Sequence, residues 1–111
     1  MTDLGGGFYV SRVDSDDYEP DDEAGGLAHV MFEDGEAAAG LWKPDPDPAV
    51  DYAGLELPAR ETVVVLKGSV RIEVEDGPTL DLGVGDMASM PAGAVTTWHP
   101  SPDFEEVWVY H

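Results

Sequence analysis

No window of helical length in this chain places apolar side chains at i, i+3, i+4 and i+7, the spacing an amphipathic helix needs. Short runs rich in Val, Thr and aromatic residues recur instead about every 8–12 residues, each closed by Gly, Pro or Asp. Glu33-Asp34-Gly35 and Glu75-Asp76-Gly77 carry the Asp-Gly pairs that favour tight hairpins. Gly68 marks a bend between ETVVVLK and SVRIEV, while Gly85-Asp86 and Pro91-Ala92-Gly93 flank MASM (87–90). A chain punctuated this way buries its apolar faces by stacking antiparallel strands, which makes it an all-β sandwich or barrel.

The expected strands are LAHVMF (27–32), AAAGLWK (37–43), ETVVVLKG (61–68), SVRIEV (69–74), TLDLGV (79–84), MASM (87–90), AVTTWH (94–99) and FEEVWVYH (104–111). PDPDP (44–48) lacks ladder donors at its prolines and reads as an extended connection. Before the barrel, FYVSRV (8–13) has the character of a short edge strand. DSDDYEPDDE (14–23) holds seven acids in ten positions and reads as a solvated segment. The division is therefore an acidic N-terminal segment, 1–26, and a β-barrel domain, 27–111.

At 111 residues the chain fits one domain with a genuine core. It has no cysteine, which excludes thiol catalysis and thiolate metal ligands. The N-terminal residues have no basic region followed by an apolar run, and no stretch approaches the ~20 apolar residues of a membrane helix, so a cytoplasmic location is the expectation. Charge narrows the partners further. There are 24 Asp+Glu against 5 Lys+Arg, a formal net charge of −19. Phosphate contacts need clustered Lys and Arg, so nucleic acid is excluded as a partner, and an anionic membrane surface would repel the chain. Such an excess of carboxylates suits a protein adapted to high salt, where screening relieves self-repulsion, or one that is merely very soluble.

Two blocks carry a family resemblance. Glu61 stands seven residues before Gly68 in ETVVVLKG, and Gly85, five residues, Pro91, one residue and Gly93 follow in order, with Trp98 completing a PxGxxxxW pattern. These spacings, together with GLWKP (40–44), resemble the cupin superfamily, and most of all the small cupins related to ureidoglycine aminohydrolase and to ethanolamine utilisation. The resemblance spans residues 27–111. It implies a double-stranded β-helix, or jelly roll, commonly a homodimer, with a pocket between its two sheets.

In that family a metal is held by two histidines of the first block, the glutamate after them and a histidine of the second block. Here the first two positions fall on Gly54 and Glu56, or on Leu55 and Leu57, and the last falls on Thr96; only Glu61 keeps its expected identity. Two carboxylates and a hydroxyl make a poor transition-metal site, so no metal is expected, and Glu56 and Glu61 are the sole weak candidates for one. Period-2 alternation points Thr96 and Trp98 inward and His99 outward. His29 and His111 read as structural and as terminal, respectively, and Tyr52 as a surface-loop residue.

The leading expectation is a pocket for a small organic molecule, with Glu61 as polar anchor or general base and Glu56 beside it. Thr96 would supply a hydrogen bond, and Trp42, Met90 and Trp98 would form apolar walls. A carboxylate-lined pocket favours a ligand with hydrogen-bond donors or positive charge. The alternatives are a metal-dependent hydrolase or isomerase of a small nitrogen-containing metabolite, using manganese, zinc, nickel or iron, and a non-catalytic dimeric assembly or regulatory module.

Overall fold

The computed structural model describes residues 1–111 and contains strands and turns but no helix. In chain order the strands are β1 (Thr2–Gly5), β2 (Phe8–Val10), β3 (Glu19–Pro20), β4 (Leu27–Asp34), β5 (Ala37–Lys43) and β6 (Tyr52–Glu56). They continue as β7 (Glu61–Lys67), β8 (Ser69–Val74), β9 (Thr79–Gly83), β10 (Met87–Met90), β11 (Val95–Pro100) and β12 (Glu105–Tyr110). A six-stranded sheet in the order β10-β7-β12-β5-β4-β3 faces a four-stranded sheet in the order β6-β11-β8-β9. Every pairing is antiparallel. The architecture is the double-stranded β-helix.

Alternation explains why the two sheets face one another. On β7, Glu61, Val63 and Val65 are buried; on β8, Val70 and Ile72 are buried while Ser69, Arg71 and Glu73 are exposed. Val63 and Ile72 are completely enclosed and join Val65, Phe104, Trp42 and Trp98 in one core. Burial of each such side chain stabilises the fold by about 1.5–3 kcal/mol. Gly68 carries the chain from one sheet to the other. Its φ is +68°, and a Cβ there would lie 3.0 Å from the Phe104 Cα and strike Ser101, so no larger residue fits the bend. The Pro91-Ala92-Gly93 turn makes the same crossing again, from β10 to β11. It is pinned by Gly93 N–H donating to the Leu57 carbonyl (2.8 Å) and Leu57 N–H donating to Ala94 (2.9 Å).

The N-terminal segment departs from its expected form. Residues 8–10 are not an edge of the barrel; they pair with residues 2–5 as a separate, exposed hairpin. The edge strand is Glu19–Pro20, inside the stretch expected to be solvated, and it pairs with β4. The physical reason is a set of side-chain ties. The His29 ring bonds Ser11 Oγ and the Asp17 carbonyl, each at 2.8 Å, Tyr18 donates to Glu105 (3.3 Å), and Lys43 lies 4.1 Å from the Tyr18 ring centroid. Residues 11–26 therefore run along the outer face of the six-stranded sheet and round its β4 edge. Strand β6 was not expected either. It pairs with β11 through a register irregularity, with Gly54 at φ +67° beside it. That pairing buries Tyr52, whose hydroxyl accepts from Asp45 N–H at 2.8 Å, so Tyr52 is not a surface-loop residue. The terminal His111 is also anchored, by its N–H to the Arg60 carbonyl (2.9 Å) and its ring to Thr62 Oγ1 (2.9 Å).

Candidate functional site

An open cleft of about 990 Å³ runs from between the sheets out past residues 17–24 and the β4–β5 turn, at the large end of the range typical of small-molecule sites. The six-stranded sheet contributes Glu61 from β7, Glu106 and Trp108 from β12, and Trp42 from β5; Trp98 and Leu55 face them from the other sheet. Cross-strand register sets this arrangement. Glu106 is opposite Trp42 on one side and Val65 on the other, and Tyr110 is opposite Glu61. Trp108 reaches the cavity because its partner on β5 is Gly40. A Cβ at Gly40 would run into the His29 carbonyl and sit 3.1 Å from the Trp108 ring.

The tryptophans form a connected wall. Trp42 meets Tyr52 edge-on at 5.2 Å between ring centroids and lies 6.3 Å from Trp98. Its indole N–H donates to the Gly25 carbonyl at 2.8 Å, which ties the segment before β4 to the cavity mouth.

The acids behave quite differently from one another. Glu61 is 5% exposed, and burial alone pushes its carboxyl up to about 7. Glu106 is 2% exposed and raised well above the ordinary carboxyl range, first by burial and then by the charge of Glu61. Its Oε2 is a buried acceptor with no hydrogen-bond partner. Tyr110 is also raised, by burial first and then by Glu61. In all, ten acidic residues line the cavity and its mouth, and none of the chain's 5 Lys and Arg does so.

Several sequence-based assignments change on this geometry. Glu56 is exposed at the mouth and does not pair with Glu61 in the interior. It sits on the short, irregular β6, where its side chain turns to solvent. The second buried acid is Glu106, which the motif positions did not indicate. Its signal was present nonetheless: in FEEVWVYH it shares the alternating face of Trp108 and Phe104. Thr96 is fully buried but unavailable to a ligand. Its hydroxyl donates to the Leu55 carbonyl at 2.9 Å and accepts the Trp98 indole N–H at 2.8 Å. Met90 is buried in the core and does not line the cavity. Glu61, Trp42 and Trp98 do line it. His99 lies outward, 3.6 Å from Glu73.

The donor set for a cupin-type metal does not assemble. Of the positions that would hold one, Gly54 and Glu56 are exposed, Leu55 and Leu57 offer no side-chain ligand, and the Thr96 hydroxyl is spent. Both ring nitrogens of His29 are engaged by Ser11 and Asp17, so no histidine from elsewhere substitutes. No three His, Cys, Asp or Glu side chains group as a metal would require.

Fold and cavity together define a single-domain double-stranded β-helix with a cleft opening between its sheets. Residues 54–105, just under half of the chain, match the EutQ-like cupin domain family. Solved structures with the same fold include a protein assigned as ethanolamine utilization protein Q from Salmonella typhimurium, at 18% identity and a TM-score of 0.62, covering 84% of this chain and 76% of that one. Another is an RmlC-like cupin from Methanocaldococcus jannaschii, at 13% identity and a TM-score of 0.62, covering 84% and 86%. A third is a cupin-2 domain protein from Shewanella frigidimarina, at 18% identity and a TM-score of 0.59, covering 74% and 76%. No curated protein sequence matches the chain. The chain has the cupin fold, and residues 54–105 carry its likeness to the EutQ-like cupin domain family.

Proposed function

We propose that this cupin binds a small organic molecule in the cavity between its sheets, without a histidine-held metal. The observation that carries the reading is the joint lining of one cavity of about 990 Å³ by buried acids, Glu61 and Glu106, and by Trp42, Trp98 and Trp108. An apolar wall with a few polar groups at fixed positions is what a small-molecule site needs, the wall for affinity and the acids for orientation. The arrangement favours this over a metal-dependent hydrolase, because the ligand positions hold glycine, leucine and an internally bonded threonine. Glu61, with a carboxyl near 7, is suited to exchange a proton with a bound molecule near neutral pH.

The test is a fragment screen by ligand-observed NMR on the native chain and on Ala38→Phe, which projects a ring into the cavity from β5. Binding to the native chain and at least tenfold weaker binding to the folded variant are expected. Fragments that bind both equally would place their site elsewhere and overturn the reading.

A further inference from the structure

The Oε2 of Glu106 has no partner, although it is buried and lies at the cavity wall. Buried acceptors are nearly always paired, because leaving one unpaired forfeits its hydration without return. What could pair it is limited by its surroundings. Trp42 and Val65 flank it on the neighbouring strands, and Glu61 is the nearest charge acting on it. No lysine or arginine lines the cavity. An anionic ligand would meet uncompensated repulsion from the acids around it. A cation gains from them and from the aromatic rings of Trp42, Trp98 and Trp108 that line the same space. Charge alone would leave Oε2 unpaired, so the ligand must also present an N–H.

We propose that the ligand enters through a primary or secondary ammonium group, which donates to Glu106 Oε2, while its hydrocarbon body lies against the tryptophans. This deepens the small-molecule reading above and rests on it. The acidic mouth adds long-range attraction, since Asp21 and Glu23 of the connecting segment also face this space. Binding needs at least one ionised carboxylate at the inner end. The groups that face it are Glu61 from β7 and Tyr110 from β12; Asp21 and Glu23 act from the mouth through Tyr110's surroundings, and His29 of β4 is engaged at both ring nitrogens. Because Glu61 titrates near 7, a cationic ligand displaces a proton there and its affinity rises with pH.

The experiment is titration calorimetry of the full chain with n-butylamine, tetramethylammonium, n-butanol and butyrate. Expected are measurable binding of butylamine at pH 8, about tenfold weaker at pH 6, and tetramethylammonium at least tenfold weaker than butylamine at either pH. Butyrate should not bind. In Glu106→Gln, butylamine affinity should drop at least tenfold, with the fold checked by near-UV circular dichroism. If that variant does not fold, the wild-type pH profile and the amine-to-butanol ratio decide. Butanol binding as well as butylamine, or tighter binding at pH 6, would overturn the ammonium assignment while leaving the small-molecule cavity intact. Equal binding of tetramethylammonium would overturn the N–H requirement and so the role of Oε2. Failure of all four probes, together with a fragment screen empty of cavity binders, would remove the underlying reading as well.

Discussion

Thr96 and the pair Glu61 and Glu106 are buried polar positions of one barrel, and they are treated in opposite ways. Around Thr96 every polar atom is matched: hydroxyl to carbonyl, indole N–H to hydroxyl. Around the acids, on the opposing sheet, burial raises both carboxyls and one oxygen is left without a partner. The first arrangement does nothing but hold strands β6 and β11 together. The second carries the cost of burying carboxyls that are incompletely hydrogen-bonded. The hydrogen-bond inventory separates a buried polar position that is fully matched from one that is not.

The sharpest way to break this contrast is Thr96→Val, which keeps the shape and removes the hydroxyl. It strands the Trp98 N–H and removes a bond to the Leu55 carbonyl, so a loss of about 2–6 kcal/mol is expected, at roughly 1–3 per orphaned group. Urea denaturation checks it. A loss under ~0.5 kcal/mol would mean that Thr96 is no better satisfied than the acids.

The acids should act on stability with the opposite sign. A carboxyl raised in the folded state makes that state bind more protons than the unfolded chain, so stability is present at low pH and lost as pH rises from about 4.5 towards the folded value of about 7. For Glu61 the interval is worth about 3 kcal/mol. Glu61→Gln should match the native chain below about pH 4.5 and exceed it by up to that amount at pH 8. Parallel stability profiles for the two proteins between pH 5 and 8 would show that Glu61 is not desolvated.

Salt sets the surface carboxylates against the enclosed ones. At ~0.05 M salt the Debye length exceeds 10 Å and a net charge of −19 is self-repelling; at ~2 M only contact neighbours interact. A gain of about 1 kcal/mol, or ~5 °C in Tm, is expected in sodium and potassium chloride alike. The Glu61→Gln and Glu106→Gln variants should show the same increment, because screening acts on exposed charge. A flat profile would mean that the carboxylates are dispersed or locally paired and would remove the high-salt reading of the composition.

How much of this could be read in the chain follows from the range of the interactions. From residue 61 onward the strands obey period-2 alternation and Gly/Pro/Asp turns, which are local signals, and their positions agree closely with β7 to β12. Strand β6 carries a glycine at positive φ and no clean alternation, and it exists because β11 lies beside it. The same holds for the N-terminal segment, whose acids suggest solvent but whose Tyr18 and Asp17 are claimed by Glu105 and His29 from other strands. At the site, family spacing located Glu61 but misdirected attention to Glu56 and Thr96. Glu106 was within reach of alternation on β12, but its lack of a partner depends on three strands at once.

The two-residue strand β3 has a consequence for how the molecule meets its neighbours at high protein concentration. It ends the six-stranded sheet with Glu19 and Pro20. A seventh strand arriving there would find a ring in place of one amide, a carboxylate beside it, and only two residues to pair with. The seven acids of residues 14–23 surround that edge and repel any chain of similar composition. The stretch that wraps the cavity mouth thus also blunts the β3 edge of the sheet against strand addition from a neighbouring chain.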